Sequence, residues 1–239
     1  MKNIKKLPLI LSILSFLTIF VPANAEIKVV ATIKPIHSLA SYLMDGVGKP
    51  DLIVDGYASP HGFALKPSHA KMIQNADIIF WVGEDIENFL EKPLKTIAKK
   101  AEKIELMEIK GLTKLKFRER NIFDEHGHKD KDDDHGHKED EHGHKDKDDD
   151  HGHDEHAHGE FDPHIWLDPM NAKIILSEMA EHLIEKDQKN ASTYKTNLKK
   201  AHNDLDKLTK KVKSELNKDF KSVVFHDAYQ YFEKRFGIN

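Results

Sequence analysis

A run of thirty-three residues in the middle of the chain, 126–158, can enter no folded core. Its largest apolar side chain is Ala157, and His, Lys, Asp, Glu and Gly supply everything else. Such a run buries too little surface to offset the entropy of ordering it. Any fold must therefore come from the flanks, and a mobile loop is expected between them, over about 121–160. The run holds ten of the seventeen histidines: His126, His128, His135, His137, His142, His144, His151, His153, His156 and His158. Near neutral pH many of these imidazoles are unprotonated and can donate a lone pair to a metal. The surrounding carboxylates add oxygen ligands and a field that attracts cations. A merely solvated charge run would account for the Lys and Asp but not for the histidines. The segment HGHKDKDDD at 126–134 recurs at 142–150, which suits a tether that needs composition and not shape.

The chain has 239 residues, room for one large or two small domains, and a net charge of −4 that gives no reason to expect a nucleic-acid partner. Residues 1–25 read as a secretory signal. Lys2, Lys5 and Lys6 precede an apolar stretch over 9–21, and Ala23-Asn24-Ala25 is a cleavage site that would leave Glu26 as the first mature residue. The apolar stretch is too short for a membrane span, which needs about 20 residues. The chain lacks cysteine, so it has no lipidation site after the signal and no disulfide. An exported, unlipidated chain points to the periplasm.

From Glu26 onward, short β-branched runs alternate with amphipathic segments. Strands are expected at 27–33, 52–54, 77–82 and 103–108. Helices are expected from Pro35 to about 45, from Pro67 to about 75, and over 86–100 with Pro93 dividing the last. This alternation implies a parallel α/β sheet, which binds ligands at the carboxyl ends of its strands. After the His-rich run, the rigid segment 161–169 feeds a helix over 172–185. A second helix over 191–216 carries Leu198, Ala201, Leu205, Leu208, Val212 and Leu216 as a narrow stripe, which suits a strut between lobes. A strand over 222–225 and a helix over 227–236 follow. These last two elements cannot form a core alone, so the second lobe is expected to be incomplete, in a fragment or a truncated chain.

His61, His164 and His226 each follow an expected strand or adjoin Pro, where side chains converge on a cleft. Three neutral imidazoles suit Zn²⁺ better than Mn²⁺ or Mg²⁺. His37, His69, His182 and His202 fall on expected helices and are read as structural. Asp168 and Asp227 are candidates to orient the metal-binding rings, and both positions also suit helix caps.

The ordered set Ser59-Pro60-His61, Leu65-Lys66-Pro67-Ser68, Asn75-Ala76-Asp77, Trp81-Val82-Gly83, His164-Ile165-Trp166-Leu167-Asp168-Pro169 and Val224-Phe225-His226-Asp227-Ala228-Tyr229-Gln230-Tyr231-Phe232 resembles the periplasmic zinc-binding proteins of high-affinity zinc ABC transporters. This is the zinc branch of the metal-specific solute-binding proteins. The resemblance spans the mature chain and implies two α/β lobes joined by one long helix. An N-terminal lobe would occupy 26–187, the linking helix 188–218, and the beginning of the C-terminal lobe 219–239. It implies ligand roles toward Zn²⁺ for His61 and His164 from the first lobe and His226 from the second. It also implies a non-enzymatic monomer that serves an inner-membrane permease. Some members of the zinc branch carry Glu directly before the first His, where this chain has Pro60, and the fourth coordination position stays unassigned.

Three other functions fit parts of the sequence. A periplasmic metal buffer would work through the His-rich run alone. A manganese- or iron-specific solute-binding protein would place a carboxylate ligand late in the second lobe. A zinc hydrolase would need a general base beside the metal, and no HExxH-type motif occurs.

Overall fold

The computed structural model describes residues 26–118 and 159–238, apart from Lys218, Phe220, Ser222 and Phe225. The expected signal segment and the His-rich run with its ten histidines lie outside the described residues. Among the described residues no helix is long and apolar enough to cross a membrane.

Four short strands, β1 (Val29–Ala31), β2 (Asp51–Leu52), β3 (Ile78–Trp81) and β4 (Glu102–Glu105), form one parallel sheet in the order β2-β1-β3-β4. Val30 lies opposite both Asp51 and Ile79, and Ile79 opposite Lys103. The central strands β1 and β3 are buried along their whole length, as expected for a parallel sheet covered on both faces. The connections carry α1 (Lys34–Leu43), α2 (Pro67–Asn75), and the short pair α3 (Glu84–Glu87) and α4 (Glu91–Thr96). Helix α2 begins and ends where Pro67 and Asn75 put it. The expected single helix over 86–100 is broken earlier than Pro93, by a 3-10 turn at Asn88–Leu90. Pro93 instead sits in the first turn of α4, where its missing N–H costs nothing. The last part of the fourth expected strand is also a 3-10 turn, Leu106–Glu108.

The strand order changes direction between β1 and β3, and the crevice at their carboxyl ends is the usual ligand site of such sheets. Here a protein side chain fills it. Glu87 is fully buried, accepts from the Thr32 hydroxyl at the end of β1, and accepts from the Val82 and Gly83 N–H groups at 2.9 and 3.0 Å beyond β3. Burial pushes the Glu87 carboxyl up to about 7, against the downward pull of those three donors. Gly83 suits its place: its φ is 155°, and a Cβ there would lie 3.1 Å from Glu105 Oε1.

Helices α5 (Pro169–Lys186) and α6 (Ala191–Glu215) pack on each other and on α1. Helix α6 is bolted down as far as Asp206. Tyr194 is buried and donates to Asp187 at 2.9 Å. Asn197 donates to the carbonyls of Leu43 and Asp45 at 2.8 and 2.9 Å, satisfying the C-terminal end of α1. Tyr42 donates to Asp204, and Lys173 pairs with Asp206 at 2.9 Å. Of the expected stripe, Ala201 is buried and Leu198 and Leu205 pack on the core, but Leu208 is 51% exposed. The helix is therefore a packed element through about Asp206, with Leu208 exposed beyond it, and is not a bare strut along its length.

In the expected strand over 222–225, Val223 and Val224 belong to no strand and Val223 is fully exposed. β-Branched composition favours a strand only where a neighbour offers a ladder. The final helix, α7 (Gln230–Phe236), starts three residues later than expected and buries Tyr231 and Phe236.

Glu87→Gln is predicted to stabilise the fold most at high pH. The folded-state pKa of this acid lies above its ordinary 4.5, so wild-type stability falls as pH rises from about 4.5 through about 7. The amide does not ionise and escapes that loss, so above this window the variant should gain up to about 3 kcal/mol on wild type. Thermal midpoints at pH 5 and pH 8 check this, and an equal difference at both would refute it.

Candidate metal centre

His61 stands on a 3-10 turn, Pro60–Gly62, in the loop after β2. Ser59 caps that turn by accepting from the His61 N–H at 3.3 Å, and Pro60 presets the backbone at its first position. The turn packs on α3, the helix that carries Glu87. His164 follows Asp162-Pro163. Asp162 is fully buried, and its Oδ1 accepts from the His164 N–H at 2.9 Å and contacts the ring Nδ1 at 2.7 Å. That contact assigns the ring proton to Nδ1 and leaves the Nε2 lone pair facing away. His164 is 8% exposed and the indole of Trp166 meets its ring edge-on at 5.4 Å. His226 lies in the turn before α7, where its carbonyl accepts from the Ala228 N–H at 3.0 Å.

These three residues, far apart in the chain, converge. Their ligand nitrogens all lie within 4.8 Å of one another. Ring centroids are 5.4 Å apart for His164 and His226, 5.9 Å for His61 and His226, and 6.1 Å for His61 and His164. The Nε2 atoms of His164 and His226 are 3.5 Å apart. Tetrahedral ligands at about 2.0–2.1 Å from a zinc ion stand roughly 3.3–3.4 Å from each other. The observed separation is close to that edge and long for a good N–H···N hydrogen bond. His164 is buried, while His61 and His226 are exposed, so the cluster is open on one side.

Asp162 is the residue that sequence reasoning missed. Its signal was present: Asp-Pro-His places a carboxylate two residues before an imidazole, the spacing at which an Asp accepts from the backbone ahead of it. Asp168 and Asp227 take other parts. Asp168 caps α5 by accepting from the Met170 N–H at 2.9 Å, and Arg235 of α7 donates to both its oxygens, at 2.6 and 2.5 Å. Asp227 faces Arg118 at 3.4 Å. The helical histidines have structural partners. His37 meets the Pro50 carbonyl at 3.0 Å, His69 accepts from the Lys66 N–H at 3.1 Å, and His202 meets the Lys173 carbonyl at 3.0 Å. His182 differs: its Nδ1 lies 2.6 Å from Glu102, close to Glu185, without a well-aligned hydrogen bond. Lys186 meets Glu102 there at 3.2 Å and supplies a counter-charge.

Residues 29–239 match the family model described as zinc-uptake complex component A, periplasmic (ZnuA). The chain belongs to this family of solute-binding proteins. Relatives in the ZnuA family include the high-affinity zinc uptake system protein of Brucella abortus, 49% identical over 223 residues, which cover 88% of this chain and 65% of that protein. The corresponding protein of Paracoccus denitrificans is 36% identical over 224 residues, covering 92% of this chain and 68% of that one. The chain thus spans about two thirds of the length of these relatives. A crystal structure of a zinc-bound ZnuA deletion mutant superposes with a TM-score of 0.66 at 19% identity, over 90% of this chain and 68% of that one. The fold is therefore that of the two-lobed solute-binding proteins, as the sequence led us to expect.

Arg235→Ala should leave the buried Asp168 carboxylate without its main counter-charge. Breaking a fully buried pair costs about 3–5 kcal/mol, and the 30% exposure of the Arg235 side chain reduces the expected loss to roughly 2 kcal/mol. Urea denaturation measures it, and an unshifted midpoint would show that the pair does not anchor α7.

Proposed function

We propose that this chain is the periplasmic solute-binding component of an ABC transporter, capturing Zn²⁺ and delivering it to an inner-membrane permease. The observation that carries the reading is the approach of three imidazoles to tetrahedral spacing, one of them set by a buried carboxylate. His61, His164 and His226 are the proposed ligands. The ion would enter over the exposed rings of His61 and His226 and close against the fixed Nε2 of His164. An all-imidazole set favours a borderline ion such as Zn²⁺ over the oxygen-seeking Mn²⁺. The histidines of 126–158 would raise the local zinc concentration beside this centre.

The carrier reading also assigns the regions of the chain: a signal removed after Ala25, a first lobe over 26–187, a linking helix over 188–218 and the start of a second lobe from 219. Hydrolysis needs a base free to activate a metal-bound water. Asp162, the carboxylate that touches His164, contacts His164 through one oxygen and Gln230 through the other, which supports binding over catalysis.

The test is a zinc titration against a competing chelator on the mature chain lacking 126–158, beside the same chain with His164→Ala. One tight site is expected, weakened in the variant by more than the roughly 10–100-fold that loss of an outer partner costs. If the deletion leaves no tight site, the carrier reading fails and a buffer acting through the His-rich run takes its place.

A further inference from the structure

Asp162 is gripped from four directions, and α7 supplies two of the grips. Its N–H donates to the Leu115 carbonyl at 2.8 Å. Its carbonyl accepts from the Tyr231 hydroxyl at 2.6 Å, and that hydroxyl accepts from the Leu115 N–H at 3.0 Å. Its Oδ1 holds His164, and its Oδ2 accepts from Gln230 Nε2 at 2.5 Å. Gln230 is itself buried, and the same nitrogen reaches the Lys116 carbonyl at 3.3 Å. A glutamine amide rotates freely in water, but here its donor end is fixed by two acceptors, on two segments outside its own helix.

Gln230 lies four residues after His226. One short stretch of chain therefore delivers a candidate ligand and, one turn later, the donor that fixes the orienting carboxylate of another. We infer that Gln230 is a positioning residue: by holding Asp162 it sets the ring of His164, so that the seating of α7 brings in His226 and aligns His164 in one step. This rests on the reading of the three histidines as a zinc site. The hydrogen bonds of Gln230 go to Asp162 and Lys116, and on this inference its effect on affinity passes through Asp162. Without its donor, Oδ2 would be buried with no partner, and the carboxylate could turn away from Nδ1 to find one.

The experiment is a zinc titration against a chelator on the full chain, read at its tightest site, for wild type, His164→Ala, Gln230→Met, Asp162→Asn and the double variant Gln230→Met/Asp162→Asn. Methionine keeps the length of the side chain and removes the donor. Gln230→Met should weaken zinc binding toward the lower end of the roughly 10–100-fold range of outer partners. In the Asp162→Asn background the same change should cost far less, because the carboxylate it acts through has gone. Tyr231→Phe, which keeps the packing of α7, provides a second probe of the same grip and should also weaken binding. Should His164→Ala lose the tight site while Gln230→Met binds as wild type does, the inference falls and the zinc site stands. An equal loss from Gln230→Met in both backgrounds would make its role one of packing and would also overturn the inference. If wild type has no tight site that His164→Ala removes, the zinc reading fails and this inference with it.

Discussion

A buried carboxylate must be met by donors or it destabilises the fold that buries it, and around Asp162 that requirement organises the candidate centre. Its partners come from three separated parts of the chain: the His164 backbone N–H and ring, Gln230 and Tyr231 of α7, and Leu115, whose carbonyl accepts from the Asp162 N–H. Satisfying one acidic group draws these parts to one point. The imidazole that results is held in a single tautomer with its lone pair turned toward the two exposed rings. A cluster of histidines on a surface could rotate apart, whereas this one has a fixed member against which the others can close.

A second buried carboxylate plays the corresponding part in the sheet. Glu87 gathers the ends of β1 and β3, where strand order reverses and sheets of this type leave a crevice. With that crevice occupied, the candidate centre is displaced outward, onto the turn of His61 that packs over α3 and onto the segments facing it. The two acids thus divide the work: one closes the sheet, and one fixes the His164 ring.

Much of this architecture is legible in the amino-acid sequence. The alternation of β-branched runs and helical stripes points to the parallel sheet, because both faces of its central strands are apolar and leave a plain pattern. Proline marks the start of α2, and Asn75 closes it. His61 and His164 are legible from their places beside Pro60 and Pro163, whereas His226 is marked by an expected strand whose described residues, Val223 and Val224, form none. What stays hidden depends on pairing across distance. Asp162 and Gln230 look like ordinary polar residues, and only their meeting gives either a role. Asp168 carries a helix-cap signal and is a cap, but its Arg235 partner lies 67 positions away and no local pattern reports it. The segment at Val223 and Val224 fails as a strand for the complementary reason, since composition cannot say whether an edge is within reach.

The residues that flank the His-rich run are pinned to the folded body. Lys116 forms an antiparallel bridge with Phe161 and pairs with Glu160 at 2.6 Å, and Gly159 donates to Asp85 at 2.7 Å. The cost of closing a loop between fixed points grows only with the logarithm of its length, so doubling it adds about 0.6 kcal/mol. A tract made of near-identical units can gain or lose a unit through slippage in replication, and the body would scarcely register the change. On the proposed reading, the bridge at Lys116 and Phe161 lets the number of histidines in the run change by copy number while the geometry of His61, His164 and His226 is inherited unchanged.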